Sequence, residues 1–105
     1  MSRLDSLKAL LQENDNDPFL LFAIAKEHES LDQDQSALQY FLKLKKNHPN
    51  YIGLYYHLAK LYERSEDADN ALNIYTLGIK IAKEAGDQHS LAELKNAKLN
   101  LEFEL

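Results

Sequence analysis

Cysteine is absent from the 105 residues, which excludes disulfides, thiolate metal sites and a cysteine nucleophile. Glycine occurs three times and proline twice, too little punctuation for the many turns of an all-β fold. No window approaches the roughly 18 apolar residues of a membrane-spanning helix. The first stretch, MSRLDSLKALLQEND, carries charge throughout and lacks the uninterrupted apolar core of a signal peptide. A cytoplasmic protein is the expectation, with no membrane partner. Positive charge is also scarce: 12 Lys and Arg stand against 17 Asp and Glu, a formal charge of −5. Phosphate binding needs a clustered basic face, so nucleic acid is not an expected partner. The only basic cluster, KLKKNH at 43–48, falls where a helix ends, and cations there favourably oppose the helix dipole.

What the sequence does contain is a repeat. Residues 52–83 shifted back by 34 land on 18–49. Leu21 falls under Tyr55, Ile24 under Leu58, Ala25 under Ala59 and His28 under Tyr62. Further on, Ala37 falls under Ala71, Leu38 under Leu72 and Phe41 under Tyr75. Within each copy these positions recur at three and four residues, the period of a helix with one buried face. A fixed period of this size is the signature of stacked supersecondary units. The length suits one such compact array rather than two independent domains.

Taken in order, residues 2–14 place Leu4, Leu7, Leu10 and Leu11 on one helical face, and the 34-residue shift sets Leu4, Leu7 and Leu10 under Leu38, Phe41 and Leu44. This first helix therefore resembles the second helix of a preceding unit. Asp17 is expected to cap the next helix, with Pro18 at its first position where a missing N–H costs nothing. That helix should bury Leu20, Leu21, Ile24, Ala25 and His28. Asp34 is expected to cap a helix over 35–47 whose Ala37 and Phe41 face the preceding one, and Asn50 to cap a helix from about Tyr51 to Arg64. Asp67 should cap a longer helix over 68–85, closed by Gly86 in the left-handed conformation. Asp87 should start the last helix, over about 88–102, with Leu91, Leu94, Ala97, Leu99 and Leu101 apolar. Short turns force antiparallel neighbours. The expectation is an all-α chain of six helices forming a single domain: 2–14, repeats at 18–49 and 52–85, and a capping helix at 87–103.

The repeats resemble tetratricopeptide repeats. The second supplies Tyr55, Leu58, Ala59, Tyr62, Ala71, Tyr75 and Gly78 at the family's positions, with Lys83 where proline is usual. The first supplies Leu21, Ile24, Ala25, Ala37, Phe41 and Pro49, with His28 in place of Tyr and Leu44 in place of the small residue. Aligning the last helix needs two inserted residues and puts Lys95 at the position of Ala59; a lysine there blocks a further tightly packed helix, as a terminal cap should. The resemblance implies a short right-handed α-α solenoid, with a concave surface lined by the first helix of each pair and used to bind a protein or peptide.

On that resemblance the partner-binding positions are Phe19, Phe22, Lys26 and Glu29 in the first repeat. In the second they are Gly53, Tyr56, Lys60 and Glu63, with His57 and Arg64 at the edge, and in the cap Ala92, Glu93 and Asn96. Phe22 and Tyr56 are repeat-equivalent, as are Lys26 and Lys60, so aromatics beside lysines would hold an extended peptide by apolar contact and by attraction for its carboxylates. The plainer reading is that the lysines are solvated charges, Lys60 paired with Glu63 three residues on, and that the aromatics extend the core. Some members of the family hold acidic C-terminal tails with a clamp of Lys, Asn and Arg; the corresponding positions here are Phe22, Lys26, His57, His89 and Glu93, and the clamp is not carried over.

Catalysis finds no footing. Of His28, His48, His57 and His89, only His89 has a helical acidic partner, Glu93, and no set of three metal ligands is readable. His28 at a core position is expected as a satisfied, partly buried imidazole. Ser36 and Ser90 lack a nearby base and the glycines of a nucleophile elbow, and no glycine loop cradles phosphate. No cofactor or metal is expected, and the chain is not expected to be an enzyme. The alternative to a peptide-binding adaptor is a self-associating unit, since Leu99, Leu101, Phe103 and Leu105 are expected to run past the last helix uncovered.

Overall fold

The computed structural model describes residues 2–105. Six helices follow one another: α1 (Arg3–Glu13), α2 (Pro18–Ser30), α3 (Asp34–Asn47), α4 (Gly53–Arg64), α5 (Ala68–Ala85) and α6 (Gln88–Glu104). No strand occurs among the described residues. They divide into two compact units, 2–51 and 52–105.

In the first unit α1 packs on α2 and α2 on α3. Ser2 caps α1 in a capping box, its hydroxyl accepting from the Asp5 N–H at 3.1 Å while the Asp5 carboxylate reaches back to the Ser2 N–H. Asp17 caps α2 by accepting from the Leu20 N–H at 3.2 Å, with Pro18 at the first helical position as the spacing requires. Leu7, Leu20 and Ile24 form a buried cluster with Leu4, Leu11, Ala23 and Tyr40 against it. Leu21, Ala25, Ala37, Phe41 and Leu44 are fully buried. Leu10, expected on the apolar face of α1, is instead exposed, because α2 covers only the narrower stripe centred on Leu7. The end of α3 is tied to the α1–α2 loop: the Asn47 side-chain amide donates to Asn16 Oδ1 at 2.9 Å, and His48 Nε2 lies 2.7 Å from the Asn16 carbonyl oxygen. The basic run thus ends in residues that anchor a loop.

Two expected caps are not there. Asp34 lies inside the first turn of α3, and the cap position belongs to Gln33, which makes no capping hydrogen bond. Its side chain turns to His28 instead, with His28 Nδ1 2.8 Å from Gln33 Oε1. Asn50 does not cap α4, which begins two residues later than expected, at Gly53, with Ile52 before it in helical conformation. Asn50 sits in a turn closed by the Tyr51 N–H donating to the His48 carbonyl at 3.0 Å, and Tyr51 is held by its ring against Phe22 (centroids 5.3 Å apart).

In the second unit α4, α5 and α6 pack together. Leu54, Tyr55, Leu58, Ala59 and Leu61 of α4 are buried with Ala71, Ile74, Tyr75, Gly78 and Ala82 of α5 and Leu94, Ala97 and Leu101 of α6. Gly78 marks a close approach: a Cβ there would stand 2.6 Å from Tyr55 Cβ and 3.2 Å from Leu94 Cδ1. Asp67 and Asp87 cap α5 and α6 through the N–H groups of Asn70 and Ser90. Of the C-terminal apolar residues expected to be uncovered, Leu99 is exposed, but Leu101 is buried, because it falls on the same stripe as Leu94 and Ala97 while Leu99 falls on another side. The last helix also runs on to Glu104; Phe103 lies within it rather than beyond it.

The turns share one closure. Asp32, Glu66 and Gly86 adopt φ of 57°, 60° and 72°. The next N–H in each case donates back five residues: Gln33 to His28 at 2.9 Å, Asp67 to Tyr62 at 2.9 Å and Asp87 to Ala82 at 3.0 Å. This is the left-handed helix stop that glycine satisfies without strain; two of the three are made by acidic residues.

Candidate functional site

The expected binding residues of the first unit lie on α2. Phe19 is 65% exposed, as the second residue of the helix and off its buried stripe. Phe22 is half-buried, set edge-on to Phe41 (centroids 6.1 Å apart) and tilted against Tyr51. Lys26 is exposed and Glu29 half-buried. Phe19, Phe22 and Lys26 line one hollow of about 390 Å³ with Arg3, Ala23, Glu27 and Ser30. Glu29 is not part of it. Arg3 and Glu27 escaped the sequence reading because their pairing, Nε to Oε2 at 3.2 Å, joins two helices that no local spacing relates. The hollow therefore has an aromatic floor, a lysine, and an arginine already engaged by a carboxylate.

On α4 of the second unit, Tyr56 and His57 are half-buried with their rings edge-on at 5.6 Å. Lys60 Nζ stands 5.6 Å from the centre of the Tyr56 ring and 3.6 Å from Glu63 Oε2. Glu63 also accepts the hydroxyl hydrogen bond of Tyr75. Tyr56, Lys60 and Glu63 are thus brought together, and Glu63 acts as an internal acceptor joining α4 to α5. Burial raises the Tyr75 phenol well above its ordinary pKa, and the Glu63 carboxylate adds to the effect. Burial alone does the same, less strongly, at Tyr55. Arg64 and Gly53 are exposed, as are Ala92, Glu93 and Asn96 on α6.

His28 is more buried than expected, at 4% exposure. It stacks on Tyr40 (centroids 5.5 Å apart), which carries Lys8 Nζ 5.8 Å from its ring centre. With Nδ1 on Gln33, its Nε2 has no hydrogen-bond partner among the described residues. Among those residues no group of three or more His, Asp and Glu side chains could hold a metal ion.

No protein-family model and no curated protein matches the chain. Solved structures do. A tetratricopeptide repeat domain protein of Salinibacter ruber, known from solution and crystal structures, is 46% identical with a TM-score of 0.79. The match covers 82% of this chain and 87% or 96% of that one, depending on the structure. A Bordetella parapertussis protein shares the fold at a TM-score of 0.86 and 23% identity, over 99% of this chain and 90% of its own. Helix pairs repeating at 34 residues, a glycine where the second pair packs closely and this degree of identity converge: the chain belongs to the tetratricopeptide repeat family.

Proposed function

We propose that the chain is a non-catalytic, cytoplasmic binding module that holds an extended segment of a partner protein on the outward faces of α2 and α4, the first helices of its two repeats. The observation that carries this reading is a repeated pair. Phe22 with Lys26 on α2, and Tyr56 with Lys60 on α4, occupy equivalent positions four residues apart on adjacent helical turns. Such a pair offers an apolar plate for a side chain and a cation for a nearby carboxylate. Phe19 widens the plate on α2, while His57, Glu63 and Arg64 border it on α4; Glu29, Glu93 and Asn96 supply polar edges. Glu63 holds Lys60 near Tyr56, which preorganises the cation at some cost in its availability. Surfaces this small bind with about micromolar affinity unless the partner is multivalent.

The test is affinity capture from extracts of the native cell, with the wild-type chain and the Lys26→Glu/Lys60→Glu variant side by side. A partner kept by wild type and lost by the variant, with binding that weakens as salt rises, supports the reading. Equal capture by both chains, with no salt dependence, refutes it.

A further inference from the structure

The α6 helix has a second, partly apolar face, on which Leu99 and Phe103 are exposed. Its buried stripe is Leu94, Ala97 and Leu101. At about 100° per residue, Ala92, Asn96, Leu99 and Phe103 lie roughly opposite that stripe, and all four are exposed, Phe103 at 82%. A terminal helix of a repeat array ordinarily shows polar residues there. The spacing of these four, four residues then three then four, is that of alternating a and d positions in a coiled-coil seam. Leu94 and Leu101 then fall at the positions pointing directly away from the seam, which is why one helix can serve both faces.

We propose that a second copy of this chain covers the outer face of α6, the two α6 helices pairing antiparallel about a two-fold axis. Size complementarity supports that occupant. In the antiparallel register Ala92 meets the second copy's Phe103 at both ends, small against large, and Asn96 meets Leu99 in the two central layers. Charge complementarity supports it as well. Lys95 and Glu102 flank the seam on the same side, and antiparallel pairing sets each Lys95 against the second copy's Glu102, twice by symmetry. A parallel pair would set Lys95 against an asparagine and lose both ion pairs. Asn96 inside the seam penalises slipped registers that would bury it against a larger apolar layer. The contact is isologous, so assembly stops at two chains. It shares only the edge residue Asn96 with the peptide-binding reading, whose aromatic and lysine pairs lie on α2 and α4, and none of the residues substituted below belongs to that surface.

The seam has four layers, short for a stable coiled coil, and a dissociation constant of about tens of micromolar is expected. Sedimentation equilibrium of the full chain from about 10 to 500 µM brackets that value and should show a monomer–dimer equilibrium with no larger species. Phe103→Glu should abolish the dimer over this range. Lys95→Glu should weaken it about tenfold, two attractive pairs having become repulsive. The double variant Lys95→Glu/Glu102→Lys should restore it to within about threefold, because the pairs are re-formed with their signs exchanged. All the substituted side chains are exposed, and unchanged helical circular dichroism verifies that the variants fold. A monomer at every concentration overturns the proposal. So does a dimer indifferent to Phe103→Glu, a mass that grows beyond two chains, or a double reversal that fails to rescue.

Discussion

Replacing Gly78 with Ala tests whether the contact of α5 with α4 and α6 is as close as the structure has it. In an exposed helix interior this change stabilises by up to about 1 kcal/mol, because glycine loses more backbone entropy on folding. Here the added methyl would stand 2.6 Å from Tyr55 Cβ and 3.0 Å from Tyr55 Cγ. Carbon atoms in good contact lie about 3.5–4.0 Å apart, so roughly 1 Å must be found. Tyr55 Cβ is fixed to the α4 backbone and cannot rotate aside, and the Tyr55 ring is fully buried. The helices themselves must part, loosening Leu94 against the same position. Overpacking of this kind costs about 1–3 kcal/mol, which outweighs the propensity gain. The expected net loss is about 1–2 kcal/mol.

The assay is urea unfolding followed by far-ultraviolet circular dichroism, with Asn73→Ala on the exposed side of α5 as the control. The control should be neutral or slightly stabilising, and Gly78→Ala should move the midpoint down. Equal or greater stability in Gly78→Ala, at an unchanged denaturant slope, would refute the close-approach argument. The first repeat supplies the converse. Leu44 stands at the equivalent position and is fully buried, so Leu44→Ala should cost about 2–5 kcal/mol through the cavity it opens. One repeat position then prefers opposite sizes in the two units.

Backbone strain gives a second prediction: Glu66→Gly and Asp32→Gly, at φ of 60° and 57°, should each stabilise by about 1 kcal/mol in the same assay, while Gly86→Ala should destabilise by a similar amount. Alkaline pH gives a third. Tyr75, Tyr55 and Tyr51 all have raised folded-state pKa values, each principally through burial. Their contribution is fully present below the ordinary tyrosine pKa of about 10 and is lost as pH rises towards the folded values, because the unfolded chain gives up its protons first. Stability measured by urea titration should therefore fall above pH 10 or so, and less steeply in Tyr75→Phe. At neutral pH Tyr75→Phe should itself cost about 1 kcal/mol for the hydrogen bond lost to Glu63.

How much of this was legible depended on whether a residue's role is set by its own segment. Asp17, Asp67 and Asp87 could be read as caps because a cap needs only a side-chain oxygen and an N–H three residues on. The 34-residue period likewise located Tyr55, Ala59 and Gly78, whose burial follows from helical spacing alone. Asn50 misled because Tyr51, beside it, is held by Phe22 from another segment. The hollow beside α2 was legible only in part, since Phe19, Phe22 and Lys26 share a helix face but Arg3 reaches it from α1. Leu99 and Phe103 could be seen as uncovered, yet the spacing did not carry the helix on past Phe103 to Glu104.

The displaced cap of α3 shows the same limit from a different side. In the second repeat the position before the helix is Asp67, which caps, and five residues earlier stands Tyr62; the first repeat has Gln33 and His28 at these two places. Both departures occur together, and the structure ties them: the Gln33 side chain is on the buried imidazole instead of on the helix end. One side chain cannot do both. Gln33→Asp therefore supplies the better cap, worth about 1 kcal/mol, but shortens the reach to His28 Nδ1, and a buried imidazole nitrogen left without its partner costs about 1–3 kcal/mol. The single change should be neutral or destabilising. Gln33→Asp combined with His28→Tyr reproduces the pair found in the second repeat, removes the orphaned nitrogen and keeps the cap. The two substitutions should couple favourably by about 1 kcal/mol or more in a double-mutant cycle. Strict additivity would mean that the hydrogen bond to His28 is not what draws Gln33 from the helix end.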